Sequence, residues 1–225
     1  QLPIGDLRTD AKENLITSIQ IASLREKGKP VIQEVSLYFE YKLYRGNRTT
    51  KINAEHFEAF TSLNYPELVE SGVHLKVNND FLYRPEKRKK LNVHRSLNTN
   101  VVIIKLFPGM SESILRSILE SKNLQGVVLE TYGAGNTSDD KWFIDLLKKA
   151  IKKGIQIINV TQCSGGSVLM GQYETSTQLK KIGVISGNDI TTEAAITKLM
   201  YLLSLNLSKK SFKSVYQTSL RGELT

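Results

Sequence analysis

Three short runs rich in β-branched residues lie in the second half of the sequence, at residues 101–104, 126–129 and 155–160. The runs are largely apolar on both faces, which is typical of strands covered on both sides of a sheet. Helix-like segments separate them and short polar links join them. This alternation predicts a βαβαβ unit with a parallel sheet and right-handed crossovers. A fourth, shorter strand is predicted at residues 184–185.

The helices of this half follow from apolar periodicity and from capping residues. They are predicted over residues 112–119, from Ser138 or Asp139 to about 153, from Thr191 or Thr192 to 203, and over 209–217.

The first half of the sequence is less regular. Its periodicity predicts a helix over residues 6–24, with Leu7, Leu15, Ile16, Ile19 and either Ile21 or Ala22 at helical spacing. A strand over 31–40 follows, because apolar and polar residues alternate there. Further elements are a basic stretch at residues 43–51, a short helix at 54–60 and a weak strand at 73–77.

A basic segment divides the chain. Residues 84–98 are polar and carry no periodicity, so we predict domains at residues 1–85 and 99–225, joined by a linker at 86–98. Much of the net charge of +9 lies here, but no aromatic residue falls between Lys87 and Arg95 to form a base-stacking platform. We therefore expect no nucleic-acid partner. No apolar run reaches the length of about 20 residues that spans a bilayer, so we expect no membrane partner.

Two polar, glycine-containing segments directly follow predicted parallel strands, at residues 130–136 and 161–167. Ligands of open α/β sheets bind at this carboxyl edge, although ordinary turns have the same composition. Neither segment is a dinucleotide fingerprint or a P-loop. The single cysteine, Cys163, excludes an intrachain disulfide and fits a reducing compartment. It is predicted to be a buried or ligand-lining thiol, since no histidine is placed beside it.

The stretch at residues 43–51 combines three cations with two hydroxyls, an amide and a glycine, so a basic surface loop and a functional site are both compatible with it. The three histidines lack metal-ligand spacing, and no metal site is predicted.

Several segments together resemble the cytosolic type I bacterial L-asparaginases. They lie at residues 1–15, 43–51, 132–136, 161–163 and 220–225, in the order of that family and over essentially the whole chain. The resemblance implies an α/β fold, with a parallel-sheet remnant of the larger amino-terminal domain followed by a smaller, complete βαβαβ-type carboxy-terminal domain. It also implies hydrolysis of asparagine to aspartate and ammonia without a cofactor, a cytoplasmic location, and assembly as homodimers or tetramers.

The resemblance assigns the family's catalytic lysine to Lys51 as a supporting base or charge anchor, presented by residues 45–50. The family's nucleophile is a threonine in a T-G-G-T-I motif, and its aspartate belongs to a G-T-D-T motif. Neither motif occurs in this sequence. Because the chain opens with Gln1 in a loop-like segment, we expect both motifs to lie upstream and the fragment to be inactive.

The resemblance also implies an effector pocket for asparagine. Thr161 and Cys163 match its positions, and Asn136 is a further candidate. Glu130 stands where allosteric members carry an arginine, and a carboxylate there would repel the carboxylate of an amino acid. A residue that enters the neighbouring subunit's active site in related enzymes falls near Tyr173 and Glu174.

Two alternatives remain open from the sequence. One is the asparaginase-like subunit of a tRNA-dependent amidotransferase, which the basic charge favours. The other is a non-enzymatic segment that binds an amino acid or mediates dimerisation.

Overall fold

A computed structural model describes residues 2–85, 92–171 and 174–225. The chain forms two compact units, residues 1–92 and 93–225. Residues 86–91 of the predicted linker lie outside the described residues, as does Tyr173.

Besides two 3₁₀ turns, the described residues of the first unit form one α-helix and eight short strands. These are α1 (Ala11–Ser23), β1 (Arg25–Glu26), β2 (Lys29–Pro30), β3 (Ser36–Phe39), β4 (Lys42–Arg45), β5 (Thr50–Lys51), β6 (Phe60–Thr61), β7 (Val69–Ser71) and β8 (Leu75–Val77). A four-stranded sheet has the order β3-β4-β7-β8, and β1-β2 and β5-β6 form separate pairs.

Strand pairing in this unit differs from the predicted parallel remnant. Every strand pair among its described residues is antiparallel. The reason is local for β3 and β4, which are joined only by Glu40 and Tyr41, both in the left-handed region with φ of 44° and 67°. A two-residue turn of this kind reverses the chain and therefore produces an antiparallel hairpin.

Helix α1 buries only Ile21 of the apolar residues that the periodicity singles out. Leu15, Ile16 and Ile19 are 52–62% exposed, whereas Asn14 is 3% exposed. The Asn14 side chain accepts a hydrogen bond from the backbone N–H of Glu40, next to β3. Part of the buried face of the helix is therefore polar. A search for apolar periodicity does not detect such a face.

The helix predicted at residues 54–60 is wrong, because the segment is irregular. The side chain of Asn53 accepts hydrogen bonds from the backbone N–H groups of Glu55 and His56, at 2.8 and 3.0 Å. This Asx turn satisfies donors that would start a helix, and the backbone N–H of Ile52 instead reaches the Ala59 carbonyl.

The second unit contains β9 (Val101–Lys105), α2 (Glu112–Leu119), β10 (Gly126–Thr131), α3 (Lys141–Lys152), β11 (Gln156–Thr161), α4 (Glu174–Ile182), β12 (Ile185–Ser186), α5 (Thr192–Ser204) and α6 (Lys209–Tyr216). Its four strands pair in parallel in the order β12-β11-β10-β9. The predicted α/β class and its parallel sheet are confirmed.

Both faces of this sheet are covered. Val127 and Leu129 of β10 belong to the cluster packed with α2 and α3, whereas Val128 belongs to the cluster packed with α5. Alternate residues of one strand thus supply two separate cores, which explains the continuous apolar run in the sequence. Helix α4 is missing from the prediction because its buried residues are only Ser176 and Leu179.

A buried ion pair ties α5 to the carboxy-terminal segment. The Lys198 ammonium donates hydrogen bonds to the Thr218 carbonyl at 2.7 Å and to the Glu223 carboxylate, which lies at 2.5 Å. The same carboxylate accepts the backbone N–H groups of Leu220 and Arg221. Burial alone would raise the pKa of Glu223, but the Lys198 ammonium and these N–H donors hold it below its usual value.

Candidate functional site

The stretch at residues 43–51 is a structured segment. Strand β4 leads into a 3₁₀ turn at Gly46–Arg48, and β5 begins at Thr50. The backbone N–H of Gly46 donates to the Val35 carbonyl at 3.0 Å. A Cβ atom at Gly46 would lie 3.1 Å from the same oxygen, so the turn needs a residue without a side chain.

Arg45, the first cation of this stretch, forms a buried ion pair with Glu34. The two side chains are 7% and 6% exposed. The Glu34 carboxylate also accepts the backbone N–H of Tyr83 at 2.6 Å, and Arg45 donates to the Phe81 carbonyl at 2.9 Å. Burial would lower the pKa of the Arg45 guanidinium, but the bond to Glu34 raises it above its usual value.

Tyr65 brings the second cation, Arg48, into the same cluster. The guanidinium carbons of Arg45 and Arg48 lie 4.3 and 5.1 Å from the centre of the Tyr65 ring. Arg48 is only 1% exposed. The Thr49 hydroxyl donates to the Arg45 carbonyl at 2.8 Å, which fixes the backbone just before β5. Two of the three cations in the stretch are therefore internal, so the surface-loop interpretation does not hold for them.

Lys51, the third cation, is exposed at the end of β5. It stands opposite Phe60 of β6, and its ammonium nitrogen lies 5.8 Å from the centre of the Phe60 ring. Among the residues that the structure describes, no carboxylate forms an ion pair with Lys51. Lys51 thus follows a buried cluster, which is defined by Glu34, Arg45, Arg48 and Tyr65. Its ammonium group is exposed and can contact a bound group.

A second group of predicted site residues lies at the carboxyl edge of the parallel sheet. The Thr161 hydroxyl donates to the Gly133 carbonyl at 2.6 Å and accepts the backbone N–H of Cys163 at 3.0 Å. The loop that carries Gly133 is closed by the backbone of Asn136, whose side-chain oxygen accepts a hydrogen bond from Thr175. The structure thus brings Thr161, Cys163 and the Asn136 loop together. The Cys163 thiol is exposed, so the buried alternative for it is wrong.

Glu130 is not part of this group. Thr131 and Thr161 are register partners, and successive side chains of a strand alternate between faces, so Glu130 lies on the opposite face of the sheet from Thr161. Its carboxylate accepts the Thr192 hydroxyl at 2.7 Å and lies 3.7 Å from the Lys105 ammonium.

The remaining expectations concern the neighbouring-subunit position, metals and membranes. Glu174 is exposed as the first residue of α4. Within residues 2–85, 92–171 and 174–225, no group of three His, Cys, Asp or Glu side chains is placed to hold a metal ion. Over the same ranges, no helix has the length and apolar character needed to cross a membrane.

Four residues that contact the predicted site residues are not themselves predicted as site residues, namely Glu34, Tyr65, Lys105 and Thr192. Each contacts its partner across a turn or a crossover, so no local periodicity marks it. The one signal available for Glu34 is that a carboxylate lies within a predicted strand and that two arginines follow this strand.

The structure belongs to the class of α/β proteins with an open parallel sheet, and its polar loops lie at the carboxyl edge where ligands of such sheets bind.

The family follows from comparison with known proteins. The model of the glutaminase/asparaginase C-terminal domain matches residues 100–216, and the model of the asparaginase N-terminal domain matches residues 1–83. The chain belongs to the glutaminase/asparaginase family.

Individual relatives agree with this assignment. The chain is 39% identical to L-asparaginase 1 of Escherichia coli K12, over all of this chain and 64% of that protein. It is 37% identical to the 60 kDa lysophospholipase of Mus musculus, over all of this chain and 39% of that protein. The crystal structure of L-asparaginase I from Vibrio cholerae superposes with a TM-score of 0.90 at 37% identity, covering all of this chain and 66% of that one. The chain therefore spans slightly less than two thirds of the bacterial relatives it matches.

Proposed function

We propose that this chain carries part of the active site of an L-asparagine amidohydrolase, which converts asparagine and water to aspartate and ammonia. The observation that carries the proposal is the buried cluster of Glu34, Arg45, Arg48 and Tyr65, which presents the exposed Lys51. The chain that carries this arrangement belongs to the glutaminase/asparaginase family. All of this chain aligns at 39% identity with 64% of an L-asparaginase.

The proposed chemistry proceeds through a threonine nucleophile. The hydroxyl adds to the amide carbonyl carbon and gives up its proton. The carbon–nitrogen bond then breaks, and the amide nitrogen takes up a proton and leaves as ammonia. Water finally hydrolyses the acyl–threonine ester, which releases aspartate and restores the hydroxyl. A hydroxyl is a weak nucleophile and needs an adjacent group that accepts its proton. In this proposal Lys51 supports that proton transfer or holds the charge of the acceptor. The nucleophile belongs to the T-G-G-T-I motif, which these 225 residues do not contain.

We propose further that Thr161, Cys163 and Asn136 form an effector site. The support is their shared loop network at the sheet edge, with Thr161 bonded to both Gly133 and Cys163. Glu130 does not extend this site, because its carboxylate is engaged by Thr192 and Lys105 on the other face. The carboxylate of an amino-acid effector would then need a cation from elsewhere, because position 130 is a glutamate.

Assembly as a homodimer or tetramer is proposed on the exposed apolar face of α1. Leu15, Ile16 and Ile19 are more than half exposed. A contiguous exposed apolar patch on a protein commonly marks a contact surface. A cytoplasmic location is proposed with it, in agreement with the single, unpaired thiol.

Assays of ammonia release test the activity. Two proteins are compared with saturating asparagine: this chain alone, and this chain fused to the upstream segment of a family member that carries both threonine motifs. We expect no turnover from the chain alone and turnover from the fusion. Turnover by the purified chain alone would contradict the assignment of the nucleophile to the threonine motifs, and a folded but inactive fusion would contradict the proposed activity.

The two alternatives make different predictions for the same preparations. A subunit of a tRNA-dependent amidotransferase would copurify with tRNA or with a second subunit. A non-enzymatic amino-acid-binding segment would bind asparagine in calorimetry, while the fusion would release no ammonia. The proposed function predicts neither result.

A further inference from the structure

A cleft of about 640 Å³ lies in the second unit, beside the loop that carries Gly133 and Asn136, and its described lining contains none of the residues of the two sites described above. It is bounded by the loop after β11, by α4 and the start of β12, and by α6. Its apolar wall is formed by Val168, Leu169 and Met170. Sites for small organic ligands have volumes of about 300–1,000 Å³ and combine an apolar wall with a few polar groups.

Two cations stand at the cleft, Lys180 from α4 and Lys213 from α6. Both are exposed, and neither is hydrogen-bonded or ion-paired to any residue that the structure describes. None of the described residues that line the cleft is acidic. The described lining of the cleft therefore carries two positive charges and no negative one.

The amides of Asn188 and Gln217 add hydrogen-bonding groups to the same cleft. Asn188 is held in the left-handed region, with φ of 54°. Its backbone N–H donates to the Ser186 hydroxyl at 3.1 Å, and its carbonyl accepts the N–H of Val168 at 2.9 Å. The polar side of the cleft is thus fixed to its apolar wall by the backbone, so the two are preorganised relative to one another.

We propose that this cleft binds a small organic anion. Lys180 and Lys213 hold its phosphate or carboxylate group, and its uncharged part packs on Val168, Leu169 and Met170. A phosphate or carboxylate is the group that paired ammonium donors recognise, since charge-assisted hydrogen bonds are stronger than neutral ones. This site shares no residue with Lys51 or with the Thr161 loop, so it is independent of the proposed amidohydrolase activity.

Calorimetric titration of the full chain tests the proposal. The probes are inorganic phosphate, adenosine 5′-monophosphate and hexanoate, each at low and at physiological salt. Lys180→Met and Lys213→Met are compared with Lys181→Met and Lys210→Met, which remove one exposed lysine from the same two helices outside the cleft lining. Thermal melts of each variant check that the substitution leaves the fold intact.

We expect saturable binding of the nucleotide or of hexanoate, tighter than that of inorganic phosphate. The cleft variants should weaken it about tenfold, and the control variants should stay within about twofold of the parent. Whichever organic probe binds identifies the phosphate or the carboxylate as the recognised group. Three results would overturn the proposal: no saturable binding of either organic probe, inorganic phosphate binding as tightly as the organic anion, or equal losses in cleft and control variants.

Discussion

Replacing Glu34 by Gln tests whether the buried ion pair organises the segment that ends at Lys51. The Glu34 carboxylate binds the Arg45 guanidinium and the backbone N–H of Tyr83, and both side chains of the pair are about 93% buried from solvent. The substitution keeps the shape of the side chain but removes its charge. The guanidinium of Arg45 then remains internal without the Glu34 carboxylate.

The expected loss of stability is large because the charge that remains is desolvated. Removing one partner of a buried ion pair costs about 3–5 kcal/mol, and we take the lower end, about 3 kcal/mol, since glutamine can still accept a hydrogen bond. For a chain of this size, 1 kcal/mol lowers the melting temperature by roughly 2–4 °C. Glu34→Gln should therefore lower Tm by about 6–12 °C.

Glu70 provides a matched control in the same unit. Its pair with Lys76 spans 3.8 Å, and the two side chains are 50% and 74% exposed. Pairs of this kind contribute about 0–1 kcal/mol, so Glu70→Gln should shift Tm by no more than about 4 °C. The assay is thermal unfolding followed by circular dichroism at neutral pH. Equal shifts in the two variants would refute the role assigned to the buried pair.

Further predictions concern the second unit. Glu223→Gln should cost about 3 kcal/mol in urea unfolding, because it leaves the buried Lys198 ammonium without its counter-ion; a cost below about 1 kcal/mol would contradict this. The folded state depresses the pKa of Glu223, so the stabilisation it gives is present above its unfolded-state pKa of about 4.3 and is lost as the pH falls through the folded value. In urea titrations from pH 7 to pH 3, the difference between parent and Glu223→Gln should therefore shrink below about pH 4.3, and a constant difference would exclude the linkage. Gly135→Ala should cost about 1–3 kcal/mol in the same assay, since φ is +110° and the new Cβ would lie 2.7 Å from Val168. Gly133→Ala, where φ is positive but the Cβ would meet nothing within 4 Å, should cost less, and the reverse order would contradict the packing argument.

Sequence patterns predict the second unit well because its elements are each defined by local composition. The apolar runs at residues 101–104 and 126–129 are strands β9 and β10, and α2 has the predicted bounds of Glu112–Leu119. Helix α5 begins at Thr192 and buries Ala194, Ala195 and Leu199 as expected. In residues 126–129 of β10 and in α2 burial is apolar and follows the local pattern, whereas α5 also buries Lys198.

The first unit shows where this reasoning stops. Helix α1 turns Asn14 inward because Glu40 offers a backbone donor, which is a contact between residues 26 apart. The hairpin of β3 and β4 depends on positive φ angles at Glu40 and Tyr41, residues that rarely adopt them. Both features are set by tertiary contacts, and tertiary contacts override local propensity.

The candidate site likewise has a part that the sequence predicts and a part that only the folded chain shows. The composition of residues 43–51 marks the segment, and the resemblance singles out Lys51, but the sequence does not show that Arg45 and Arg48 are internal. That distinction depends on Glu34 and Tyr65, which meet the arginines only in the folded chain.

The most direct test of the central claim is the turnover number of the asparaginase fusion carrying Lys51→Met. Lys51 is exposed, so this variant should retain the Tm of the parent fusion. Loss of a group that supports proton transfer lowers rates by about 10²–10⁴, so kcat for asparagine should fall by at least about 100-fold. Lys42→Met, which removes an equally exposed lysine from β4, should leave kcat within about twofold of the parent. A Lys51→Met fusion that releases ammonia at the parent rate would contradict the catalytic role of Lys51.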